Sequence, residues 1–123
     1  MAQQGFRTCP TTGLKVHLPA ERLIKANAVV AVVAILIGGL AALAVLLTRW
    51  PAVHLLPADW FYRLLTAHAL DMLVVWIIFF EIAGLYFGGA ILLNSRLAAP
   101  KVGWLAFLLM VIGAGIVNAI VLM

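Results

Sequence analysis

The sequence predicts an all-α integral membrane protein with three transmembrane helices. Three observations carry this. First, 67% of the 123 residues are hydrophobic and only 10% charged, against roughly 45–50% apolar and about 25% charged in soluble domains. Second, the apolar residues fall into three runs, each long enough to cross a hydrocarbon core of about 30 Å. Third, the breaks between the runs carry Pro51, Pro57 and Pro100 together with the charged residues Arg49, Asp59, Arg96 and Lys101. The chain divides into a polar tail, residues 1–25, and a transmembrane unit, residues 26–123. The one cysteine, Cys9, excludes an intrachain disulfide framework. The net charge of +4 reads as membrane topology and not as a nucleic-acid surface.

The tail contains Arg7, Lys15, Glu21, Arg22 and Lys25, punctuated by Pro10, Gly13 and Pro19. Its composition is that of a solvated cytoplasmic segment, without the apolar core of a cleavable signal. Pro19-Ala20-Glu21 is a plausible helix start leading into the membrane. Span one covers residues 26–48, roughly 35 Å at 1.5 Å per residue. Gly38-Gly39 and Ala41-Ala42 give it a small-residue face that a neighbouring helix can approach closely. Arg49-Trp50-Pro51 ends it with an interfacial charge, an aromatic anchor and a breaker.

Asp59 precedes the aromatic Trp60-Phe61-Tyr62 and is the expected N-cap of span two. That span covers residues 60–93, roughly 50 Å as one helix, so it tilts or protrudes. Gly84, Gly88 and Gly89 near its far end invite a kink. Span three covers residues 104–123, roughly 30 Å. Its closing Ile-Val-Leu-Met lacks a polar flank, which suggests an N-terminal fragment or a split subunit. Orientation follows from the cations. Arg7, Lys15, Arg22, Lys25, Arg96 and Lys101 lie on one side, Arg49 and Arg63 on the other. The side with six faces the cytoplasm. His68, eight residues past Trp60, is then about 12 Å into the helix from the outer side.

His68 is the one histidine inside a span, and an ionisable side chain at membrane depth marks function by default. A neutral imidazole offers a lone pair to a metal, heme iron included. The alternative is a structural hydrogen bond to a neighbouring helix. Asp71 and Met72, three and four residues on, share its face; Arg63, about two turns before Asp71, is a candidate partner for it. Glu81, flanked by Phe79-Phe80 and Ile82, is either a proton-relay group or a hydrogen-bonding group toward another helix. Asn118 reads as interhelical glue. Arg49 and Arg63 either anchor to lipid headgroups or pair with heme propionates. Cys9, His17 and His54 have no zinc spacing. The chain has neither a phosphate-binding Gly loop nor a nucleophile–base motif.

The run Leu65-Thr66-Ala67-His68, with Met72 and Trp76-Ile77-Ile78-Phe79-Phe80-Glu81, resembles the second transmembrane helix of subunit I of the heme-copper oxidases. Arg49-Trp50-Pro51 and Asn94-Ser95-Arg96-Leu97 resemble its bacterial members. The tail from Thr8 to His17 is similar to the start of the bacterial B-type cytochrome c oxidases. Where the family has glycine after the histidine, this chain has Ala69. The resemblance implies that His68 is an axial ligand of a low-spin heme, of a or b type. It places the second axial histidine, the high-spin heme ligand and the copper ligands on later helices, so this chain alone does not reduce oxygen. It implies the remaining helices of subunit I, other oxidase subunits and membrane lipid as partners, and cytochrome c as electron donor, in a bacterial inner membrane. Three helices do not distinguish an oxidase from a nitric oxide reductase. A small membrane anchor holding a b-type heme with a partner subunit, and a cofactor-free structural subunit, also stay open.

Overall fold

The computed structural model describes residues 5–123. Three helices are long and apolar enough to cross a membrane: Leu18–Arg49, Ala58–Leu92 and Pro100–Leu122. The first, α1 (Leu18–Arg49), starts well before residue 26, because Pro19 in its first turn presets the helical φ where an N–H has no intrahelical partner anyway. The polar residues from Glu21 to Lys25 thus form a helical extension of the span.

The second span is not one regular helix. It runs as α2 (Ala58–Leu70), a π-helical stretch Asp71–Val75, α3 (Trp76–Phe87) and a second π-helical stretch Gly88–Leu92. Each π turn inserts a residue and rotates the face that follows. In the first, the Trp76 amide reaches back five residues to the Asp71 carbonyl, and the Trp76 indole Nε1–H donates to the Met72 carbonyl. The second begins at Gly88, where the sequence invited a kink. Pro57, not Asp59, occupies the N-cap position of α2, and Asp59 lies in the first turn, where its carboxylate complements the helix dipole. Asn94 ends the span with a positive φ of 48°, the left-handed conformation that asparagine tolerates at helix ends. The third helix, α4 (Pro100–Leu122), opens on its proline.

The helices pack through small residues. Ala20, Leu23, Asn27, Ala31, Ala34, Gly38 and Ala41 are buried along α1, spaced three or four apart and so on one face. Ala31 and Ala34 meet Val75 and Phe79, with Phe107, Met110 and Ala114 of α4 around them. Phe79 and Phe107 pack edge to face at 6.1 Å. Most of the remaining large apolar side chains are exposed, as expected of surfaces solvated by lipid or by further helices.

The tail is folded, which its composition did not indicate. Strand β1 (Phe6–Thr8) pairs antiparallel with β2 (Lys15–His17), Arg7 opposite Val16. Gly13 takes a φ of 67° in the connecting turn and donates its N–H to the Cys9 carbonyl. The hairpin is pinned to α1 by a two-pronged bond from Arg7 to Glu21, at 2.8 and 2.6 Å, and Glu21 also pairs with Lys25 at 2.6 Å.

Candidate functional site

His68 stands two residues before the end of α2 and faces α1 across its small-residue stripe. Its Nδ1 is 2.9 Å from the Gly38 carbonyl oxygen. A carbonyl only accepts, so Nδ1 carries the proton, and in the neutral form of the ring the lone pair is the one on Nε2. This is the arrangement in which a second hydrogen bond fixes the tautomer and orientation of a ligating imidazole. The ring is half-buried, neither sealed in the packing of the three helices nor fully turned outward.

Gly38 makes the approach possible. A Cβ there would lie 2.9 Å from Met72 Sδ and 3.3 Å from Asp71 Cβ. His68, Asp71 and Met72, placed on one face by their spacing, therefore converge on Gly38. The π stretch starts at Asp71, so His68 is placed by the regular α2, while Asp71 and Met72 are the first two residues of that stretch.

Asp71 is buried, 3% exposed, and accepts from Asn118 Nδ2 of α4 at 2.9 Å. Asn118 also donates to the Ala114 carbonyl of its own helix at 3.1 Å. The alternative partner for Asp71 considered from sequence, Arg63, is engaged elsewhere. Its guanidinium donates to the carbonyls of Leu122, at 3.0 Å, and Met123, and lies 5.5 Å from the centre of the Trp60 ring. Arg63 and His68 are five residues apart, which turns them to different faces of α2; His68 addresses α1 and Arg63 the end of α4. Arg49, the last residue of α1, is exposed and lies 5.8 Å from the centre of the Phe61 ring. Glu81 is exposed on α3, with no hydrogen bond or ion pair among the described residues.

Among the described residues no group of three or more His, Cys, Asp or Glu side chains is placed to hold a metal ion. The donor set at His68 is one imidazole nitrogen, which suits an iron whose other ligands come from a macrocycle and a further chain segment. Cys9 and His17 sit on the tail hairpin. The Thr12 hydroxyl and the backbone of Thr12 and Thr11 hydrogen-bond the Cys9 sulfur and pull its pKa down to about 7. His17 is buried, packs 5.0 Å from Phe6 and accepts from the Leu97 N–H at 3.3 Å. Burial, and secondarily Arg96, lower its pKa below 6.5.

Two participants were not singled out from sequence as site residues: Gly38, as the acceptor for His68, and Asn27. Asn27 is 1% exposed and donates to the Leu23 carbonyl at 2.8 Å. A lone asparagine in an apolar run was the available signal for it. For Gly38 no residue-type signal exists, since its functional atom belongs to the backbone.

A family model described as cytochrome C and quinol oxidase polypeptide I matches residues 22–123. No curated protein and no solved structure matches the chain.

Proposed function

Because the chain belongs to the cytochrome c and quinol oxidase polypeptide I family, we propose that it supplies the opening helices of a terminal oxidase subunit I, with His68 as one axial ligand of the low-spin heme. The observation that carries this reading is the His68 Nδ1–Gly38 hydrogen bond of 2.9 Å, which leaves Nε2 as the available lone pair. Gly38 without a side chain lets α1 come close enough to orient the ring; Asp71, held by Asn118, fixes the turn directly after it. A low-spin heme bound here would supply one-electron transfer from cytochrome c toward a heme–copper centre carried by later helices.

Arg49 and Arg63 are the cations at the His68 end of the first two spans and are proposed as partners for heme propionates. Arg49 is exposed and has its fork of donors free of carboxylate partners among the described residues. Arg63 would exchange its carbonyl partners on α4 for a propionate. We further place the tail and the Asn94–Ala99 loop on the cytoplasmic face of a bacterial inner membrane. The hairpin contact between His17 and Leu97 puts these two basic segments on the same side, in keeping with the distribution of lysine and arginine. The other partners follow from the same reading: the remaining helices of subunit I, further oxidase subunits and lipid.

The test is spectroscopic. The chain is expressed with the neighbouring genes of its operon, and reduced-minus-oxidised spectra of the membranes are recorded for wild type and His68→Ala. A low-spin heme signal in wild type that disappears in His68→Ala is expected. Retention of the signal in the variant rejects the ligand role, and absence of heme from assembled wild type favours a structural subunit. A signal from the chain expressed alone would favour the small heme-binding anchor, since a bis-histidine heme would then take one His68 from each of two copies.

A further inference from the structure

We propose that the groove between α3 and α4 holds one acyl chain of an anionic glycerophospholipid, with its phosphate met by Arg96 at the groove mouth. The groove is a cavity of about 300 Å³, walled by Ile82 and Leu85 of α3 and by Ala106, Phe107 and Met110 of α4. It is open on one side, since Leu85 is 75% exposed and Ala106 is exposed as well. From Pro100, where α4 begins, to Met110 is roughly 15 Å of helix. That is half of a hydrocarbon core of about 30 Å, the depth of one leaflet. An apolar wall of that depth suits an acyl chain whose headgroup lies at the loop before α4.

The charge at the mouth selects a lipid over an apolar helix. Leu85 and Tyr86 line the groove and also a second cavity, of about 180 Å³, whose wall includes Ser95 and Arg96 of the loop. Ser95 Oγ already donates to the Gly89 carbonyl. Arg96 is exposed and has no carboxylate partner among the described residues. Its fork of N–H donors matches the geometry of a phosphate. The tail docks on this loop through His17 and Leu97, so the cations of both segments gather at one end. They are Arg7, Lys15, Arg22, Lys25, Arg96 and Lys101, and the one carboxylate of these segments is Glu21. Glu21 is taken by Arg7 and Lys25, which leaves the end strongly positive. A basic pocket between spans, at the level of the phosphates of a leaflet, recognises anionic headgroups. Cationic mouth and apolar groove together match the two halves of one phospholipid.

The proposal is independent of the heme reading, because neither cavity includes His68. For the test, the membrane assembly that contains the chain is purified and reconstituted into phosphatidylcholine vesicles. These carry a minor fraction of phosphatidylglycerol with a diazirine midway along one acyl chain, and the peptides labelled on illumination are mapped. Label on residues 82–86 and 103–110 is expected. Arg96→Gln should lower it roughly fivefold, the effect of one cation near an anionic leaflet. Lys15→Gln removes the same charge from the same end but lines neither cavity, and should lower it less. Ala106→Phe keeps every charge and fills the groove, so it should lose the label, and it remains informative if Arg96→Gln does not assemble. Equal labelling by phosphatidylcholine bearing the same diazirine would overturn the proposal, as would an equal loss in Lys15→Gln. So would label indifferent to Arg96→Gln or Ala106→Phe, or a groove left unlabelled because another helix covers it.

Discussion

The His68 ring is held by the backbone of Gly38, 2.9 Å from its carbonyl oxygen, and the same glycine has no space for a side chain. A Cβ would meet Met72 Sδ at 2.9 Å and Asp71 Cβ at 3.3 Å. The sulfur can swing aside, but the aspartate Cβ is tied to the second span. Gly38→Ala is therefore expected to push α1 from the second span and lengthen the histidine hydrogen bond, at a cost of about 1–3 kcal/mol for overpacking. Gly38→Val, branched at Cβ, costs more. Gly39→Ala is the control, because a Cβ there meets nothing. Thermal denaturation of the purified assembly gives the cost. On the proposed function, a broadened low-spin heme band in Gly38→Ala but not in Gly39→Ala reports the loosened ring.

Asp71 and Asn118 form a single polar link across the apolar interior. Removing one side leaves a buried group without its partner, which is worse than removing both. Asn118→Leu should destabilise the bundle by about 1–2 kcal/mol, and the double variant Asp71→Leu/Asn118→Leu should recover part of that loss. Interhelical hydrogen bonds in membranes average roughly 0.6 kcal/mol in double-mutant cycles, so coupling of about 0.5–2 kcal/mol is the expected range. A cycle with zero coupling would mean that Asp71 finds another donor.

The three-span fold was legible because lipid demands long, nearly uncharged runs, and runs such as Ala26 to Thr48 and Trp104 to Met123 satisfy that at a glance. The small-residue face of α1 was legible for a similar reason, since Gly38 and Ala41 repeat at helical spacing. The tail hairpin was not. Phe6–Thr8 and Lys15–His17 are strands of three residues each, too short for an alternating pattern to stand out from a polar segment. The π turn at Asp71–Val75 was also hidden, because Asp-Met-Leu-Val-Val contains no proline or glycine to announce it. At the candidate site, residue type and depth alone singled out His68 but left ligand and structural hydrogen bond as alternatives. Its orienting partner is a main-chain carbonyl, and the choice of Asn118 over Arg63 for Asp71 is decided by how α4 packs, a relation that sequence spacing does not contain.

The entry of α4 depends on Gly103, the one buried residue of that helix. A Cβ at this position would stand 2.7 Å from Leu23 Cδ1 and 3.0 Å from the Tyr86 hydroxyl. Gly103→Ala is expected to lower stability by about 1–3 kcal/mol. Gly113 and Gly115 lie on the same helix with open space around a Cβ. Substituting alanine at either should be neutral or gain up to about 1 kcal/mol in helix propensity. Equal effects at all three positions, measured by unfolding in detergent or bilayer, would show that the approach of α4 to Leu23 is not what fixes its place.

The tail is fastened to the loop after the second span by a bond that requires neutral histidine. His17 Nδ1 accepts from the Leu97 N–H, and an imidazolium has no lone pair to do so. Burial first, and then the charge of Arg96, place the His17 pKa below its ordinary 6.5. The folded state therefore binds the proton less readily than the unfolded tail, and the stabilisation it confers is complete above pH 6.5 and lost as pH falls through the lowered folded value. Hydrogen exchange at the Leu97 amide, followed from pH 8 to about pH 5 after correction for intrinsic exchange, should lose protection on the acid side. The Arg7–Glu21 ion pair still pins the hairpin to α1 there, so the amides of β1 and β2 should keep more of theirs. His17→Phe, which keeps a ring against Phe6 but accepts no hydrogen bond, should show the unprotected Leu97 amide at every pH. If Leu97 stays equally protected in that variant, its N–H has another acceptor and the pH dependence must come from elsewhere.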